Sequence, residues 1–159
     1  MHILNTYQFI YSLLLLLLLF CIEMKIFLDT NFLLIPALFK VDIFAEIERI
    51  CSFNYELIII DKTLDELKNI IASAKNAGKH KKAAKLAFTI AENAVKTNQL
   101  KILETNKDDK VKTVDRILLE IAKNEKICVA TQDKQLKKLL RLLGAKIIDL
   151  RKKQYLILG

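Results

Sequence analysis

Four times along this chain a short apolar run suited to a buried strand gives way to a helix-spaced run, and at or just past each junction stands a carboxylate. Asp29 ends Lys25-Ile26-Phe27-Leu28-Asp29, and Glu66 follows residues 57–60 (Leu-Ile-Ile-Ile) after a short turn. Asp115 opens Val114-Asp115-Arg116-Ile117-Leu118, and Asp133 follows residues 127–131. Strands alternating with helices imply an α/β fold, a three-layer α/β/α sandwich around a central parallel sheet of about five strands. In an open parallel sheet the carboxyl ends of the strands share one edge, where ligands bind. Acids remote in sequence would converge there on one cleft, and together they would need a cation.

The pattern predicts strands at residues 25–28, 56–60, 101–104, 127–130 and 145–150. Pro36 favours a helix start, and an amphipathic stretch continues to about Ile50. A second helix begins at Thr63, with Leu64, Leu67, Ile70, Ile71 and Ala74 at helical spacing and Gly78 as its stop. Residues 79–96 form another, with Ala84, Ala87, Phe88, Ala91, Ala94 and Val95 facing inward. Val114, Ile117, Leu118, Ile121 and Ala122 mark a further helix. Leu136, Leu139, Leu140 and Leu143 mark the last, ended by Gly144. Arg151-Lys152-Lys153 reads as a basic tail, and the polar loop 106–112 as the most mobile segment.

Residues 1–23 differ from the rest. No charge occurs between Met1 and Ile22, and residues 13–19 are seven leucines. The apolar part, residues 9–22 with Ser12 inside it, is shorter than the roughly 20 residues a membrane span needs. It lacks the basic start and small-residue cleavage site of a secretory signal. Three readings fit this leader: a misassigned start with translation from Met24, a signal anchor, and a buried helix. Only the anchor would bring a membrane into play, with the Lys-rich body kept on the cytoplasmic side.

Residues 24–159 are long enough for one domain with a single core. They carry all 26 Lys and Arg and 17 acids, a formal charge of +9. A basic body around an acidic cleft suits a polyanion held by its phosphates, although a solvated Lys-rich face would look the same. Cys21, Cys51 and Cys128 have no Cys-x-x-Cys spacing, so neither a disulfide framework nor a zinc site is supported. Cys128 reads as a core residue, and a reduced, cytoplasmic setting fits best.

Each acid has a plainer role to weigh. Asp29 could be a turn former or helix cap. Glu66 could close a capping box with Thr63. Asp115 and Asp133 could be first-turn acids favoured by the helix dipole. Four such coincidences along one sheet edge are less economical than a shared site. Clustered carboxylates call for a hard divalent ion, and all-oxygen ligation points to Mg²⁺ or Mn²⁺. Thr30 and Asn31 could orient such a centre from just outside it, or equally be ordinary loop residues. Gly78, Gly144 and Gly159 are the only glycines, so no phosphate-cradling Gly-rich loop is available. His2 and His80 are not placed as general bases.

The motifs Phe27-Leu28-Asp29-Thr30-Asn31, Thr63-Leu64-Asp65-Glu66-Leu67, Val114-Asp115-Arg116-Ile117-Leu118 and Ala130-Thr131-Gln132-Asp133-Lys134-Gln135-Leu136, in this order, resemble those of PIN-domain nucleases. The resemblance runs from about Met24 to Leu158. The ending from Gly144 onward looks like the archaeal branch near VapC-like and small-subunit-processome PIN nucleases. It implies the strand order 3-2-1-4-5, with Asp29, Glu66, Asp115 and Asp133 as catalytic metal-binding acids and Thr131 as their polar companion. It also implies Mg²⁺- or Mn²⁺-dependent cleavage of single-stranded RNA, often by a homodimer. An antitoxin or a ribosome-assembly factor would be the partner, according to whether the chain is a toxin or a processing nuclease. The leucine-rich leader is no part of that family's domain.

Lysines on two predicted helices, Lys81 and Lys82 with their neighbours and Lys134 and Lys138 with theirs, would track RNA phosphates towards the cleft. Arg151 and Lys152 would extend that path. The alternative to the nuclease is a PIN-like module that binds RNA or protein without cutting.

Overall fold

The computed structural model describes residues 2–20, 23–73, 78–106, 109 and 111–159, and in the first helix the side chains of residues 7–16. Cys21, Ala74 and part of the loop 106–112 lie outside the described residues. Six strands form one sheet in the order β3-β2-β1-β4-β5-β6. They are β1 (Met24–Leu28), β2 (Tyr55–Ile60), β3 (Lys101–Leu103), β4 (Cys128–Ala130), β5 (Lys146–Arg151) and β6 (Tyr155–Leu158). The first five are parallel and follow the expected order 3-2-1-4-5.

Period-two alternation assigns each strand residue to a face. Ile26 and Leu28 enter one core with Leu57, Ile59, Cys128, Ala130 and Ile148. Phe27 enters the other with Ile58, Ile60, Val129 and Ile147. Both faces are buried, which explains why these strands read as continuous apolar runs. The first core is covered by α2 (Thr30–Leu33), α3 (Ile35–Phe39), α4 (Ile43–Ile50), α5 (Asp61–Ala72) and α6 (Lys79–Lys96). The second lies under α7 (Val114–Asn124) and α8 (Lys134–Leu142). The inward stripe of α6 is Ala83, Ala84, Ala87, Ala91 and Ala94. Such small side chains let it approach α3 and α5 closely.

Three expectations change. The stretch from Pro36 to Ile50 is two helices, because Lys40 turns left-handed (φ 57°) and Asp42 caps a new start through Phe44 N and Ala45 N. The helix expected from Thr63 begins at Asp61 and ends at Ala72, while Gly78 (φ 81°) opens α6. The basic tail is a tight turn, with Lys152 (φ 50°) and Lys153 (φ 58°) left-handed, leading into antiparallel β6. Lysines rarely take that conformation, so no Gly or Asn marks the turn in sequence.

The exposed edge of β6 is closed by α4. Leu156 N donates to Glu46 Oε2 (2.8 Å) and Arg49 Nη2 donates to Leu156 O (2.9 Å), while Glu46 and Arg49 pair with each other. Side chains thus occupy backbone groups that another strand would otherwise use. The leader forms α1 (His2–Phe20), and residues 7–16 are exposed throughout. Among the described residues no helix is long and apolar enough to cross a membrane.

Candidate active site

Between β1 and β4 the strand order reverses, and the chain leaves the two strands towards opposite faces. Asp29 N donates to Ala130 O (3.0 Å) and Thr131 N to Ile148 O (3.3 Å), which aligns the exits of β1, β4 and β5. Asp29 is 2 % exposed and Thr131 is fully buried. Thr131 Oγ1 donates to Asp29 Oδ2 (2.8 Å) and accepts from Asp133 N (3.1 Å). One hydroxyl therefore fixes the first acid and the backbone of the last.

Asp29 occupies the N-cap position of α2 but makes no side-chain capping bond, while its carbonyl accepts from Phe32 N (3.0 Å) and Leu33 N (3.2 Å) in the turn that follows. The capping box expected at Thr63 is not formed. Thr63 lies inside the first turn of α5, and its buried Oγ1 has no hydrogen-bond partner. Glu66 Oε2 instead accepts from Thr30 Oγ1 (2.5 Å), across from α5 to α2. Asp133 does cap its helix, through Oδ1 to Leu136 N (2.7 Å). Asp115 is exposed in the first turn of α7, where Thr113 is the cap.

Asp29 and Asp115 respond to the other acids. Burial pushes the Asp29 carboxyl up to about 6, and the charges of Asp115 and Glu66 add to the rise against the Thr131 hydrogen bond. Asp115 is raised by partial burial, then by Asp133 and Glu66. Among the described residues no Lys or Arg forms an ion pair with any of the four. Their negative charge is gathered and left uncompensated, in a domain whose net charge is strongly positive.

Among the described residues no three His, Cys, Asp or Glu side chains are arranged to hold a metal ion directly. The donor set nevertheless matches a hard cation in its chemistry: oxygen ligands, concentrated charge, and a buried carboxylate that resists ionising alone. Mg²⁺ commonly keeps several waters and takes one or two carboxylates directly, so it does not need three side chains in contact with it.

The other expected residues fall as follows. Thr30 is buried and joins the site through Glu66, whereas Asn31 is exposed and, among the described residues, no hydrogen bond ties its side chain to the acids. Lys82, Lys134, Lys138, Arg151 and Lys152 are exposed and Lys81 half-buried. Arg151 leans on Asp149, with Nε 3.9 Å from Oδ2. Asp149, buried on β5, was not among the residues expected at the site, whereas its partner Lys137 was expected with the lysines that track RNA; an acid inside an apolar strand was the available signal.

A family model described as a PIN like domain matches residues 26–153. Ribonuclease VapC4 of Methanocaldococcus jannaschii is 33 % identical over 132 residues, covering 82 % of this chain and 93 % of that protein. The solved structure of the PIN domain endonuclease Utp24 superposes with a TM-score of 0.62 at 21 % identity, covering 85 % of this chain and 90 % of that one. At that identity the second likeness speaks for the fold.

Proposed function

The chain belongs to the PIN-domain family of ribonucleases, and from that premise we propose that it is a Mg²⁺- or Mn²⁺-dependent endoribonuclease acting on single-stranded RNA. The observation that carries this reading is the set of four acids, remote in sequence and gathered without a cationic partner at one sheet edge. Asp29, Glu66, Asp115 and Asp133 would hold the ion. When bound, it supplies a polarised water and a counter-charge for the oxygen that leaves phosphorus.

The protein's own contribution is positional. Thr131 fixes the Asp29 carboxylate, and Thr30 holds Glu66. The N-terminus of α8 directs Asp133, with Oδ1 occupied by Leu136 N. The exposed Lys and Arg around this edge would hold RNA phosphates, so binding would weaken steeply with salt. The likeness to Ribonuclease VapC4 supports RNA as the substrate.

The test is cleavage of mixed single-stranded RNA with Mn²⁺, Mg²⁺ or EDTA, beside Asp29→Asn. Cutting that needs the ion and disappears in the variant is expected. Folded protein that leaves every RNA intact would sink the reading.

A further inference from the structure

Asp149 and Lys137 form the most buried ion pair among the described residues, and it stands beside the acid cleft. Lys137 Nζ lies 3.0 Å from Asp149 Oδ1, with the side chains 13 % and 10 % exposed. In every other pair at least one side chain is more than a quarter exposed. Asp149 follows Ile148 on β5, whose carbonyl holds Thr131 N, so it lies one residue beyond the level at which the neighbouring β4 ends. Its second oxygen faces Arg151 from the same strand.

Lys137 is four residues beyond Asp133, and its backbone N closes the first turn of α8 on Asp133 O (3.0 Å). An acid followed by a lysine at this spacing is the favourable arrangement for an intrahelical ion pair. The long flexible stem of lysine brings its ammonium within reach of that carboxylate. It pairs instead with Asp149, and among the described residues Asp133 has no Lys or Arg partner.

We propose that Asp149 is a positioning residue that holds the Lys137 ammonium away from Asp133, so that the fourth carboxylate of the cleft stays free for a cation. The inference rests on the metal-site reading above, and it removes Lys137 from the lysines available to RNA. Without Asp149, Lys137 would fold back onto Asp133 and neutralise it. Because both groups are largely buried, an unpaired ammonium has strong reason to find another carboxylate.

The experiment compares wild type, Asp149→Asn, Lys137→Met and the double variant, using calorimetric Mn²⁺ titration and the crystal structure of metal-free Asp149→Asn. Circular dichroism melts establish that each protein is folded. Asp149→Asn should weaken Mn²⁺ binding about tenfold, the scale seen when partners of metal ligands are lost. Its Lys137 Nζ should lie within hydrogen-bond distance of Asp133. Lys137→Met and the double variant should bind Mn²⁺ like wild type, since neither has an ammonium to capture Asp133.

Weak binding by Lys137→Met, or by the double variant, would make the pair a mere support and overturn the proposal. So would a Lys137 that turns to solvent in Asp149→Asn. Failure of wild type to bind Mn²⁺ would end the metal-site reading, while the position of Lys137 in Asp149→Asn would still decide this one.

Discussion

Asp29 and Glu46 are both carboxylates held against the sheet, and their surroundings push them in opposite directions. Glu46 accepts from Arg49 and from Leu156 N on the edge strand, and these hold it down at about 2. Asp29 is buried among other acids and is pushed up to about 6. Glu46 works for the fold when charged. Asp29 works against it unless a proton or a cation arrives. Glu56, Asp109, Glu120, Glu125 and Asp149 also meet Lys or Arg, whereas among the described residues the four acids at the strand exits, like Asp42, Glu48 and Asp61, form no such pair. Charge that is costly to the fold and left uncompensated at a ligand-binding edge points to function.

The largest effect should come from removing the costly charge. A carboxylate with a raised folded pKa stabilises the protein at low pH, and that contribution is lost as pH rises through about 6. Asp29→Asn should therefore melt higher than wild type at pH 8 without metal, by at most about 3 kcal/mol, while losing RNA cleavage. Thermal melts between pH 4 and 8 check this, and a variant less stable than wild type at pH 8 would break the comparison. At saturating Mg²⁺ the order should narrow or reverse, because about 100 times Kd of a ligand adds about 2.7 kcal/mol to wild type alone.

Next in size is Thr131→Val. It deprives Asp29 of a donor and Asp133 N of an acceptor at a fully buried position. A loss of about 2 kcal/mol in urea unfolding is expected, together with weaker Mn²⁺ binding. Glu46→Gln should cost about 1 kcal/mol at pH 7, since its ion pair is partly exposed. Its sign with pH is opposite to that of Asp29. The Glu46 contribution is present above the ordinary carboxylate range and lost as pH falls towards about 2, so wild type and variant should converge in acid. Smallest of all should be deletion of residues 1–23. Every described side chain of α1 is exposed, so the melting temperature of the remaining domain should stay within about 1 °C.

By itself the sequence determined the parallel strands, their order through a family resemblance, and the four acids at the strand exits. Those follow from local rules, since burial on both faces demands continuous apolar runs and a carboxylate at each junction is visible in the text. It could not separate the capping box at Thr63 from a role for Glu66 in the cleft, because both fit the same spacing. Tertiary structure set the capping box aside by starting α5 two residues early, and it placed Thr30 opposite Glu66, 36 residues away in sequence. It likewise decided the hydrogen bond between Thr131 and Asp29, 102 residues apart, the left-handed lysines in the turn before β6, and the partner of Lys137. Sequence periodicity reports which face a residue presents. Which polar atom it meets depends on how distant segments pack, and that is settled only when the chain closes on itself.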